Sequence, residues 1–382
     1  MCDMNLVNHV APEIAPPLHL VWRYHTRVYN WATAAIQNGR VYISPNRIIA
    51  MELETGALIY ETGPFPGIRH ILHLTDGLLM FAYDDGIGAL HQADGLPAWQ
   101  VTTKNVREMM PLCEQGIAYW LSHTPFIDTH VPRRSYLYAY DIHQQHMRWR
   151  ADLGIYVSKS FIPALDQGVI FGICDQQVAA LRTSDGSLIW STPLEPGEKA
   201  RWNIVADGTT VYVPLECGRL LALDRGTGQV RWAIPSSLYH PQRQGINAHT
   251  GVTLADQRLY LGTDAGISCV DAATGAIIWE RERDTIRGRG AFRCHDAPPL
   301  VSGAYLYVPS SYGLSCLDRS TGEELWVYST RGEIRTALAA ADGYLVFGCH
   351  DGYYYCFADD THPPVPKPRG RRVKPKTSES EG

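Results

Sequence analysis

An eleven-residue unit recurs along this chain, and few folds can accommodate it. ALDRGTGQVRW (222–232), CVDAATGAIIW (269–279) and CLDRSTGEELW (316–326) are its most regular copies, and ALRTSDGSLIW (180–190) is a fourth. AMELETGALIY (50–60), ALHQADGLPAW (89–99) and AYDIHQQHMRW (139–149) are weaker ones. Each opens on a small residue and closes ten residues later on Tyr60, Trp99, Trp149, Trp190, Trp232, Trp279 or Trp326. Between these anchors most copies carry Thr-Gly or Asp-Gly, whose glycine supplies the positive φ that tight hairpins require. The unit therefore reads as strand, hairpin turn, strand. Successive copies stand 39 to 50 residues apart, the length of a four-stranded propeller blade.

An eighth copy begins at Cys356, but no tryptophan follows it. The missing aromatic strand lies at the other end of the chain, in HLVWRYHT (19–26), where Trp22 has no preceding repeat of its own. Pairing it with 353–358 leaves no orphan strand and removes the exposed edge. The reading is all-β: a single eight-bladed β-propeller at 19–360, preceded by an N-terminal extension at 1–18. No stretch sustains a helical period.

The motif A-x-D-x-x-T-G-x-x-x-W resembles the tryptophan-docking repeat of the quinoprotein-like (PQQ-like) propellers, over roughly residues 19–360. That resemblance implies tryptophans packed between blades, in a family holding both quinone-dependent dehydrogenases and non-catalytic scaffolds. The dehydrogenases carry adjacent cysteines beside the quinone, and this chain has no Cys-Cys pair. No PQQ, and no other cofactor, is expected. Fold alone does not assign function.

In a propeller the loop leading into each innermost strand shapes the channel mouth. Counting back from turns such as Asn38-Gly39, Asp76-Gly77 and Asp342-Gly343 brings Trp31, Arg69, Glu108, Ser160, Arg201, His249, His295 and Arg335 to that ring. Their neighbours include Asn30, His70, Arg107, Lys159, Trp202 and Thr336. Cationic groups around a confined opening focus field on an anion, and arginine forks suit carboxylate or phosphate. The expected ligand-binding set is Trp31, Arg69, His70, Arg107, Lys159, Arg201, Trp202, Arg293 and Arg335. If the same funnel is catalytic, as in a lyase, isomerase or cyclase, His249, His295 and Glu108 are the candidates to move a proton. A third alternative is an assembly scaffold working through the blade rims.

Two long lead-in loops, 236–249 and 281–299, would cap the funnel, the second carrying five arginines between Arg281 and Arg293. An insertion at 121–135 in the third blade is expected to project away from the mouth; its His123, Asp128 and His130 are read as loop residues, and no metal site is assigned anywhere. Cys269, Cys316 and Cys356 stand where other blades have alanine, as small hydrophobes.

The whole chain carries a formal charge of −5, which argues against bulk nucleic-acid binding by the folded body. Six cations lie between Lys367 and Lys376, in a tail (361–382) too poor in apolar residues to pack. That tail is available for acidic partners. No segment approaches the roughly 20 apolar residues needed to span a bilayer. Nine cysteines without CxxC spacing, and no secretory signal pattern at the first residues, point to a reducing cytoplasm.

Overall fold

In the computed structural model, residues 9–10, 13–65, 68, 72–103, 111–124, 134–155, 161–174, 176–200, 202–215, 219–235, 251–263, 266–282, 297–311 and 313–362 are described. They form eight blades, each built on four antiparallel strands, which are consecutive in the chain in seven blades and include an N-terminal strand in the eighth, arranged as an eight-bladed propeller. Blade 1, for example, comprises Ala35–Gln37, Arg40–Ile43, Arg47–Glu52 and Leu58–Pro64. The short first strands of successive blades lie beside one another around the axis, so they are innermost and the aromatic fourth strands are outermost.

Register explains why the unit is eleven residues long. Each small anchor faces its aromatic directly across the third and fourth strands: Ala50 opposite Tyr60, Ala89 opposite Trp99, Ala139 opposite Trp149, Ala180 opposite Trp190. Ala222, Cys269 and Cys316 likewise face Trp232, Trp279 and Trp326. A shift of register follows each of these pairs, so the hairpin beyond it carries one extra residue, which strengthens the local twist. Only a small side chain leaves room for the ring lying over it. The thiols of Cys269 and Cys316 are pushed up to about 11 and about 12 by burial, consistent with packing rather than thiolate chemistry.

The outer aromatics join one blade to the next. Trp22, Trp149, Trp190, Trp232 and Trp279 each donate their indole N–H to a backbone carbonyl in the hairpin of the following blade, at 2.7 to 3.2 Å. The glycine of that following hairpin lies against the ring. A Cβ on Gly275, at φ +75°, would come within 2.9 Å of Trp232. Gly56, Gly186, Gly228 and Gly322 meet Trp22, Trp149, Trp190 and Trp279 in the same way. Glycine is thus required twice, by the turn and by the neighbour. Tyr60 covers Gly95 similarly, but its buried hydroxyl has no partner among the described residues.

Ring closure follows the sequence expectation. His19–His25 is the outermost strand of blade 8, antiparallel to Tyr353–Ala358, with Trp22 opposite Cys356. The stretch that the sequence sets apart as an N-terminal extension is also built into the ring. His9–Val10 adds a parallel strand to the inner edge of blade 7, beside Val301 and Ser302. The backbone of Ile14 is held by Ser302 Oγ (2.8 Å) and the Tyr307 hydroxyl (2.8 Å), and its side chain is fully buried with the cores of blades 7 and 8. Ala15 N donates to Asp359, just beyond the third strand of blade 8 (3.3 Å), tying the N-terminal segment to the last blade. A sequence without apolar periodicity concealed this segment; two isolated aliphatic residues, Ile14 and Leu18, carry its packing.

Candidate functional site at the channel mouth

Strand direction sorts the loops onto two faces. The lead-in loops and the turns between second and third strands lie on one, the mouth face; the remaining hairpins lie on the other. The blade 3 insertion departs from expectation here. Its stem, His123 paired with Ser135, stands at the end of the sheet where Leu112 opens the innermost strand, so it rises on the mouth face. Residues 125–133 lie outside the described residues, as do Asp128 and His130.

Of the residues assigned to the mouth from sequence, Trp31 and Arg335 are described with their side chains, and the fold brings them together across the junction of blades 8 and 1. The Arg335 guanidinium lies over the Trp31 indole, 5.3 Å from its centroid, a cation–π contact. Arg69, His70, Arg107, Glu108, Lys159, Arg201, His249, Arg293 and His295 lie outside the described residues, as does the basic tail from residue 363. Trp202 is described in its backbone alone, paired in parallel with Phe161 where the lead-ins of blades 4 and 5 meet.

Three residues that sequence counting missed complete the cluster. His350, on the turn Cys349-His350-Asp351-Gly352, packs edge-on to Trp31 (4.4 Å) and against Tyr29 (5.5 Å). Glu333 accepts from Arg335 Nε at 2.7 Å. His350 comes from a turn two strands away from the innermost strand, and counting along lead-in loops alone cannot reach it. A histidine and an aspartate in a four-residue turn between two apolar strands were the available signal.

The support beneath this cluster is dense. Asn30, fully buried between Tyr29 and Trp31, donates to the carbonyls of Cys349 and Tyr353 at 3.0 Å each. Thr26 donates to the carbonyl of Gly352 through its backbone N–H (2.9 Å) and its hydroxyl (3.0 Å). His350 N donates to the carbonyl of Glu333 (2.9 Å), and Thr33 Oγ1 accepts from Ala337 N (3.0 Å). Two lead-in loops and one turn are bolted into a single platform. Such preorganisation reduces the ordering cost of binding.

Electrostatically the platform departs from the chain as a whole. Residues 23–34, 330–338 and 349–353 contain Arg23, Arg27, Arg331 and Arg335 against Glu333 and Asp351, net +2 on a chain of −5. Asp351 is engaged by the Tyr355 hydroxyl (2.6 Å) and Tyr353 N (3.2 Å). Burial first, and then the Arg335 charge, push the His350 imidazole below its usual range, so it is neutral near pH 7 and its buried Nε2 has no partner among the described residues. The arrangement can hold an anion beside a stacking surface. The sequence has no adjacent cysteine pair, and four of the five cysteines described with their side chains are buried. Among the described residues no three His, Cys, Asp or Glu side chains converge as metal ligands.

Comparison with known proteins agrees with the architecture. No curated protein matches the sequence. BamB from Moraxella catarrhalis superposes with a TM-score of 0.67 at 16% identity, covering 92% of this chain and 100% of its own. Quinohemoprotein alcohol dehydrogenase from Comamonas testosteroni gives 0.72 at 16%, covering 91% and 78%. A europium-containing methanol dehydrogenase gives 0.71 at 14%, covering 94% and 97%. At these identities the likeness is one of fold. A family model described as outer membrane protein assembly factor BamB matches residues 19–131, 129–243 and 263–361, so the chain belongs to that family of PQQ-like repeat propellers.

Proposed function

We propose that this propeller is a binding protein whose mouth face takes an anionic small ligand, or an acidic segment of a partner protein, without PQQ. The observation that carries the reading is the contact of Trp31, Arg335 and His350 on a platform that is locally basic in an acidic chain. A guanidinium that is already oriented, beside a ring that is partly exposed, offers charge and surface to an incoming group at little reorganisation cost. Five described free cysteines, four of them buried, support the cytoplasm as the proposed compartment.

Titration with a panel of polyanions (phosphate, citrate, an Asp/Glu-rich peptide) tests it. Arg335→Ala is expected to weaken the best binder about tenfold or more, the scale of one lost charge-assisted contact. Binding unchanged in Arg335→Ala and Trp31→Ala proteins would overturn the reading. The enzyme alternative rests on His249, His295 and Glu108, which lie outside the described residues.

A second reading, a scaffold acting through the blade rims, is favoured by one pattern. Leu58, Leu188, Val230 and Ile277 occupy the same position, two residues before the outer aromatic, and all are exposed. Partner capture lost on Leu188→Asp and Ile277→Asp, but retained in Arg335→Ala, would establish the rim reading instead.

A further inference from the structure

A surface that holds only a bare anion has no need of exposed rings, yet this one displays two. Tyr29 is 69% exposed and Trp31 48%. Asn30 between them is fully buried, so the two rings emerge on the same outer side of the loop. His350 touches both and links them into one aromatic surface. Farther from the axis the pattern repeats: His25 stacks on Tyr353 at 4.5 Å, and the Arg23 guanidinium lies 4.9 Å over the same ring. Two guanidinium–ring pairs thus stand on this side of blade 8, Arg335 with Trp31 and Arg23 with Tyr353, and the same two lead-in segments also carry Arg331 and Arg27.

Arg27 adds an independent observation. Its φ is +63°, a left-handed conformation that costs a non-glycine residue free energy. Thr26, tied to Gly352, and Asn30, tied to Cys349 and Tyr353, flank it and hold the backbone there. An exposed arginine is thereby kept in an unfavourable conformation on the same face as the rings.

Resting on the proposal of a mouth-face anion site, we infer that this surface recognises a phosphorylated planar ring, the chemistry of a nucleotide, either free or within a single strand. Every base offers a π-face to Trp31 or Tyr29, and each phosphate is an acceptor for an arginine fork. Arg335 lies over one face of the Trp31 indole, so a base is to stack on the other face or on Tyr29, with the guanidinium close by for its phosphate. Stacking without base-edge readout makes recognition tolerant of base identity. The arginines spaced along the platform favour several phosphates over one.

The experiment is a calorimetric titration of the full chain with AMP, adenosine, inorganic phosphate, PQQ and a ten-residue oligothymidylate, with indole fluorescence followed in parallel. AMP is expected to bind at least about tenfold tighter than adenosine or phosphate alone. Trp31→Ala should cost roughly tenfold in AMP affinity while leaving phosphate binding alone, and Trp31→Phe should restore it. Leu96→Ala, an exposed residue in a hairpin of the opposite face, should change nothing, and unchanged thermal melting of every variant shows that the fold is retained.

The arms separate the two sources: oligonucleotide binding that exceeds AMP and falls steeply with salt identifies a single strand, and AMP binding of equal strength identifies a free nucleotide. Phosphate, PQQ or an acidic peptide binding as tightly as AMP, with Arg335→Ala weakening it, would overturn the nucleotide inference and leave the anion site standing. No binding by any of these anions would overturn both.

Discussion

Replacing Gly275 by alanine tests the interlock that holds the blades in a ring. The added Cβ meets Trp232 Cδ2 at 2.9 Å, Cε3 at 3.0 Å and the Ile234 side chain at 3.2 Å, while φ is +75°. Two costs are superposed. The left-handed backbone penalises any L side chain by about 1–2 kcal/mol, and forcing an indole fixed by its hydrogen bond to Ala272 to shift adds about 1–3 kcal/mol. Gly39→Ala separates them, because Gly39 has φ +70° but nothing within 4 Å of its Cβ. Urea denaturation followed by circular dichroism should show Gly275→Ala losing about 2–5 kcal/mol and Gly39→Ala about 1–2 kcal/mol. Equal losses would refute the reasoning, since the penalty would then belong to the turn and not to the contact between blades.

Other predictions concern the ends of the ring and a buried histidine. Ile14→Ala should destabilise by about 2–4 kcal/mol in the same assay, because Ile14 fills a closed site between blades 7 and 8; a loss below about 0.5 kcal/mol would mean the segment is not seated there. His73 is buried, and burial holds its imidazole down to about 4. Its folded value lies below its unfolded one, so it contributes stability above about pH 6.5 that is lost as pH falls toward 4, about 3 kcal/mol at most. Denaturation between pH 7.5 and 4.5 should show this slope and His73→Leu should flatten it; an unchanged slope would locate the titration elsewhere.

The repeat was legible because its constraints are local. A small anchor, a glycine turn and an aromatic lie within eleven residues, and each register pair from Ala50–Tyr60 to Cys316–Trp326 follows from that spacing. Closure by Trp22 was legible for the same reason: an aromatic without an anchor and an anchor without an aromatic. Residues 13–18 were not, because their attachment depends on single residues such as Ile14 meeting partners nearly three hundred positions away. At the mouth, counting placed Trp31 and Arg335 on one rim but gave no distances. His350 and Glu333 entered the cluster through packing of a distant turn, which no one-dimensional spacing encodes.

Hydrogen exchange read by mass spectrometry, with and without the tightest polyanion, measures the functional account most directly. Bound ligand should slow exchange in peptides covering 26–34, 330–338 and 349–352, where two loops and a turn share the Asn30 and Thr26 hydrogen bonds. Protection confined to the outer strands or to the hairpins of the opposite face, with these peptides unchanged, would contradict it.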